Sequence, residues 1–186
     1  GIHVLTLPEL HTREAGVSAA CEFTVSPRNA WSPEGASVDP GHRSRASCIR
    51  AGIVELQDAD GRIHTGPGCF PAWTPSGRLT SVWKGGVYLL ASRGAERIGL
   101  EPVPLLTRAQ LTHELAGTSW GTHAPFVRQA AWLGEDVLAV IVGAKPAAGG
   151  DGLAVFRDGK LVSLPLGPYP LLGRLRPSPR GTYVSA

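Results

Sequence analysis

Ala72-Trp73-Thr74-Pro75-Ser76-Gly77-Arg78-Leu79 is one of four related phrases in this chain. The others are Thr24-Val25-Ser26-Pro27-Arg28-Asn29-Ala30-Trp31, the degenerate Ala131-Trp132-Leu133-Gly134-Glu135-Asp136-Val137-Leu138, and Arg176-Pro177-Ser178-Pro179-Arg180-Gly181-Thr182-Tyr183. They begin at residues 24, 72, 131 and 176, which are 48, 59 and 45 residues apart. Units of this length built from short strands and turns predict a radial or stacked architecture rather than one continuous sheet.

A second element recurs in step with the first. A glycine leads an apolar strand at Gly1-Ile2-His3-Val4-Leu5, Gly52-Ile53-Val54-Glu55-Leu56, Gly86-Val87-Tyr88-Leu89-Leu90 and Gly152-Leu153-Ala154-Val155-Phe156. Hairpin signals follow three of them, at Asp58-Ala59-Asp60-Gly61, Ser92-Arg93-Gly94 and Asp158-Gly159. Asp and Gly tolerate the backbone angles of tight turns. In the first turn of each unit, proline fixes φ, and Gly or Asn takes the left-handed position. Each unit then reads strand, turn, strand, loop, Gly-led strand, turn, strand. That is the make-up of a propeller blade.

The chain opens on a third-strand element and closes on a first-and-second-strand element, residues 175–185. Building one blade from both ends removes a free sheet edge. The expectation is a single all-β domain over residues 1–186, a small propeller of about four blades. The blades are placed at 22–67, 69–101 and 127–166, with the fourth shared by 172–186 and 1–16. A truncated arc of a larger ring, or an arc that completes its ring by dimerisation, is the rival reading. One insertion breaks the β pattern. Thr107 as N-cap and Gly117 as C′ bracket a short helix at about 108–116, with Leu111 and Leu115 on one face. It is read as a packing element covering a propeller face, with partner docking as the alternative.

Composition agrees with this architecture. The chain has 186 residues, enough for one well-buried domain. Its 24 Gly and 16 Pro suit a chain of many turns. The 42% apolar content suits a folded one. The net charge is +3, from 18 basic and 15 acidic residues, and Arg outnumbers Lys fifteen to three. The Arg bias is the mark of a high-GC genome. The densest cluster, Arg174, Arg176 and Arg180, is spread over one strand-turn unit and reads as a solvated face. No nucleic-acid partner is expected. No apolar run reaches the roughly 18–20 residues that cross a bilayer, and no secretory leader is visible. The first residue is Gly rather than Met, which predicts a processed protein or a domain of a longer parent, a membrane-anchored one included.

The three cysteines allow several arrangements. All three could be buried, inert thiols. Cys48 and Cys69 could bridge, clipping one unit to the next. Cys21 could take part instead, since it precedes Thr24 as Cys69 precedes Ala72. The spacings fit no zinc pattern.

Residues 71–82 followed by Gly85-Gly86-Val87-Tyr88-Leu89-Leu90 resemble the WD40-like repeat of TolB-type β-propellers, whose consensus runs Pro-x-Trp-Ser-Pro-Asp-Gly, then an apolar strand, then Gly or Asp before an Ile-Tyr pair. The match is good over 72–101, fair over 22–67 and 174–186, and weak over 129–165. Arg28, Ser76 and Arg180 stand at the family's Asp positions, so any calcium or turn role of that Asp is lost. The resemblance implies an extracytoplasmic protein-docking platform: periplasmic, cell-surface or secreted. Such propellers share a fold and differ in job.

Chemistry-bearing patterns are sparse. His3, His11, His42, His64, His113 and His123 include no pair at helical metal spacing. There is no nucleophile elbow, phosphate loop or dinucleotide fingerprint. Asp58 and Asp60 belong to a hairpin turn and suggest no acid–base pair. No catalytic residue, metal or cofactor is expected. Trp31, Trp73 and Trp132 are read as packing between units. Trp120, in Thr118-Ser119-Trp120-Gly121, is read as a loop anchor for a partner. Trp120, His113, Arg43 and Arg45 are the candidate partner contacts, on loops 37–47, 103–123 and 143–151. The function expected is a non-enzymatic binding or scaffolding propeller with a protein partner. The alternative is a carbohydrate-active or hydrolytic propeller, with ionisable groups converging at the central channel.

Overall fold

A computed structural model describes residues 2–6, 11–15, 29–31, 44–50, 52–58, 60–92, 99–144, 150–169, 175–177 and 183–185. These form four four-stranded antiparallel sheets and one helix. The first sheet holds β3 (Asn29–Trp31), β4 (Arg45–Arg50), β5 (Ile53–Gln57) and β6 (Ile63–Pro67), in that order. The second holds β7 (Cys69–Trp73), β8 (Leu79–Trp83), β9 (Gly86–Ser92) and β10 (Leu100–Leu106). The helix α1 (Arg108–Glu114) follows. The third sheet holds β11 (Phe126–Trp132), β12 (Val137–Gly143), β13 (Asp151–Arg157) and β14 (Lys160–Tyr169).

The fourth sheet draws on both chain ends. Its order is β15 (Arg176–Pro177), β16 (Tyr183–Ser185), β1 (Ile2–Thr6) and β2 (His11–Ala15). β16 pairs antiparallel with β1, with Leu5 opposite Val184. The strands that begin within one residue of the four expected glycines are β1, β5, β9 and β13, the third strand of each sheet.

The turn phrases fall between first and second strands in three sheets. In the second sheet, Thr74 N–H donates to the Arg78 carbonyl at 2.9 Å, and Arg78 N–H donates to the buried Thr74 hydroxyl at 3.0 Å. Gly77 sits at φ +82°, where a Cβ would be strained. The first phrase departs from this pattern. Its Ser-Pro-Arg segment precedes β3, and β3 ends at Trp31, as β7 ends at Trp73 and β11 at Trp132. The segment equivalent to 72–77 is therefore Ala30-Trp31-Ser32-Pro33-Glu34-Gly35, six residues downstream of the expected register. Residues 32–35 lie outside the described ones. The shift also removes the equivalence of Cys21 and Cys69.

Other boundaries move for local reasons. Residues 45–47 belong to β4 and residues 103–106 to β10, so the expected loops 37–47 and 103–123 are shorter. β8 and β9 are joined by two residues, Lys84 and Gly85, both at positive φ, instead of a loop. The Ser92-Arg93-Gly94 turn lies outside the described residues, apart from the backbone of Ser92. The helix stops at Glu114 with Leu115 as its C-cap, ahead of Gly117. Its start is as expected, and a capping box secures it. Gln110 N–H donates to Thr107 Oγ1, while Thr107 N–H donates to Gln110 Oε1. Leu111 and Leu115 are fully buried.

The core lies between sheets. Ala46 and Val54 of the first sheet meet Leu79, Leu90 and Leu100 of the second. Val87 and Leu106 of the second meet Leu138, Val140, Val142 and Phe156 of the third, under the helix. The odd-numbered side of β12 packs instead with Leu153, Val155 and Leu175. β12 is buried at all seven positions because both of its faces are covered. That explains its unbroken apolar run, Val137-Leu138-Ala139-Val140-Ile141-Val142. Trp132 packs between the second and third sheets as expected. Its indole N–H donates to Thr80 Oγ1 at 3.1 Å, and Thr80 Oγ1 donates to the Ala72 carbonyl at 2.8 Å.

The turns of these two sheets also touch. Ser76 Oγ donates to the Glu135 carboxylate of the neighbouring turn at 2.7 Å. Arg78 adds an exposed ion pair to the same carboxylate at 3.5 Å, of a kind that contributes little.

Candidate binding groove

Two bulges face one cavity. On β7, Phe70 and Pro71 together oppose a single residue of β8, because the ladder steps from Cys69–Val82 to Ala72–Thr80. On β11, Arg128 is the extra residue between Val127–Val142 and Gln129–Ile141. Bulges re-aim side chains and recur beside functional sites. Cys69, Phe70, Val82, Phe126, Val127, Arg128, Gln129 and Ile141 line a cavity of about 460 Å3 between the second and third sheets.

Local contacts fix this geometry. Gly68 is at φ +108°, and a Cβ there would lie 2.6 Å from Ser81 Oγ, so only glycine fits. Its N–H donates to the Gly52 carbonyl at 2.9 Å. The next residue, Cys69, is disulfide-bonded to Cys48 of β4, with Cα atoms 5.2 Å apart. The bridge therefore joins the first sheet to the second, as one of the sequence readings had it. Cys21 lies outside the described residues. Phe70 then takes φ +51° and is 43% exposed. Across the cavity, the Arg128 guanidinium pairs through Nη1 with the buried carboxylate of Asp151. The Arg128 chain passes over Gly143, where a Cβ would lie 3.0 Å from its Cδ. Gln129 Nε2 donates to the Leu175 carbonyl at 3.0 Å, reaching the segment that leads into β15.

The expected contact residues do not gather there. Trp120 is buried, at 3% exposure, and overturns its reading as a partner anchor. The turns after the helix fold it inward among Leu115, Phe156 and their neighbours. Its ring takes the space over Gly152, where a Cβ would come within 2.6 Å. His113 is exposed on α1 and lines a second cavity of about 430 Å3 with Gln110, Glu114, Asp158 and Lys160. Glu114 is occupied structurally, accepting the Leu161 N–H at 2.9 Å. Arg45 is exposed on β4, and Arg43 lies outside the described residues.

The Asp58 carboxyl titrates below its ordinary value. Desolvation pushes it up, but hydrogen bonds from His64 and from the Arg62 and Asp60 N–H groups outweigh this, and the net shift is downward. All of these partners belong to the β5–β6 hairpin. Among the described residues, no three or more His, Cys, Asp or Glu side chains group to hold a metal ion. No helix among them is long and apolar enough to cross a membrane.

Sequence reasoning missed Phe70, Arg128 and Asp151. Gly68-Cys69-Phe70-Pro71 did carry a signal: a glycine and a proline inside a strand pattern mark a bulge. Arg128 carried none. No family model matches this chain, and no curated protein or solved structure matches it.

Proposed function

We propose that the chain is a four-bladed β-propeller that acts as a non-enzymatic, extracytoplasmic protein-binding module. One observation carries this reading. The first strands, β3, β7, β11 and β15, stand at one edge of their sheets and touch in series, β3 against β7, β7 against β11 and β11 against β15. Edges that meet in series converge on an axis, and the fourth sheet joins the two chain ends. The 22–67, 69–101, 127–166 and 172–186 plus 1–16 blades are this reading's units, the second extended to Leu106 by β10.

The Cys48–Cys69 bridge supports an oxidising compartment, where such bonds persist. The open groove on a rigid sheet scaffold supports binding. Selection of short random peptides on the immobilised protein tests the reading. The expected result is an enriched consensus whose peptides are recovered chemically intact after incubation. Failure to enrich any consensus, or cleavage of the recovered peptides, would overturn it.

A further inference from the structure

We infer that the cavity between β7 and β11 receives a peptide segment presenting an apolar side chain beside a carboxylate. The inference rests on the binding-module reading and narrows it to one groove and one partner chemistry.

Phe70 is the first observation. Left-handed backbone is costly for a bulky residue and persists only where its surroundings over-determine it. Here they do. Cys69 is bonded to Cys48, Gly68 is hydrogen-bonded to Gly52, and Ala72 re-enters the ladder opposite Thr80. Glycine at this position would carry no such cost, yet the chain places a phenylalanine there, 43% exposed. The ring belongs to none of the buried clusters.

The second observation is a further exposed apolar residue beside the bridge. Ile49, next to Cys48, is 48% exposed, so Ile49 and Phe70 each follow one of the two bridged cysteines. Val82 and Phe126, both half-buried, line the cavity, and the buried Val127 and Ile141 close it from the core side.

The third is Arg128. Asp151 engages one Nη1, and the side chain remains 39% exposed along the cavity. A guanidinium carries five N–H donors in a planar fork that matches a carboxylate. A buried acid that anchors the group leaves it rigid for recognition. A cationic partner is disfavoured by Arg128 itself and by the chain's net charge of +3. A cavity of about 460 Å3 lies within the range of ligand clefts and takes two or three side chains.

The test titrates the whole protein with acetyl-phenylalanyl-aspartyl amide and with its asparagine counterpart, read by amide NMR. The expected perturbations are confined to residues 69–72, 82 and 126–129, and the asparagine peptide binds about tenfold more weakly. Phe70→Gly is expected to abolish binding with a melting temperature no lower than that of the parent protein, because it relieves the backbone. Arg128→Lys keeps a positive charge opposite Asp151, loses the fork, and weakens only the aspartate peptide. Equal binding of both peptides, perturbations elsewhere, or binding unchanged by Phe70→Gly overturns the inference. So does Phe70-dependent binding to phosphatidylcholine vesicles in place of the peptide. Selected peptides that bind regardless of Phe70 and Arg128 sink this site while leaving the binding module standing; failure of the selection sinks the module.

Discussion

Trp120→Ala lowers stability by about 3–5 kcal/mol in urea unfolding, the cost of emptying a large buried aromatic site. The indole is 3% exposed and joins the helix to the third sheet. Trp120→Phe costs far less. It leaves most of the ring in place and removes an indole N–H that has no hydrogen-bond partner among the described residues. Burying such a donor unpaired carries a penalty of about 1–3 kcal/mol, which offsets much of the lost volume. The pair of variants separates the two readings of this residue. A surface anchor would give Trp120→Ala a change within about 0.5 kcal/mol.

Cys48→Ser lowers stability by about 3 kcal/mol, from the chain entropy released when a loop of 21 residues is no longer closed. A reductant such as dithiothreitol produces the same loss in the parent protein and none in the variant. The effect extends beyond the loop, because the bridge spans two sheets and pins the residue before Phe70. Cross-peaks from residues 69–72 should therefore broaden on reduction, while those of β12 stay sharp. Equal stability of oxidised and reduced protein would show that the bridge does not form in solution.

Much of the fold was legible in the sequence because strand order is written in local chemistry. The glycines at 52, 86 and 152 each stand at the start of a third strand. The Thr-Pro-Ser-Gly turn at 74–77 forms as its proline and glycine predict. The shared terminal sheet followed from which strand type stands at each chain end. The first phrase misled by six residues because the Ser-Pro-x pattern occurs twice in tandem, at 26–28 and at 32–34. Two such patterns cannot be ranked without knowing where β3 ends.

The groove was hidden for a different reason. Phe70 and Arg128 are far apart in sequence, and each becomes available only through a bulge in its own strand. Pairing register sets a bulge, and register is a property of two strands together. Trp120 misled through its polar neighbours Thr118 and Ser119. The Thr118 hydroxyl is spent on the local backbone, donating to the Leu115 carbonyl at 2.8 Å, within turns that carry the indole inward.

The central claim is a ring of four sheets closed within one chain, and the β1–β16 ladder tests it most directly. In a dilute sample whose light-scattering mass is that of one 19.5 kDa chain, nuclear Overhauser contacts should link Leu5 to Val184 and Val4 to Ser185. Their intensities should not change with protein concentration. Absence of these contacts in the monomer, or their appearance only between differently labelled chains, would contradict the ring.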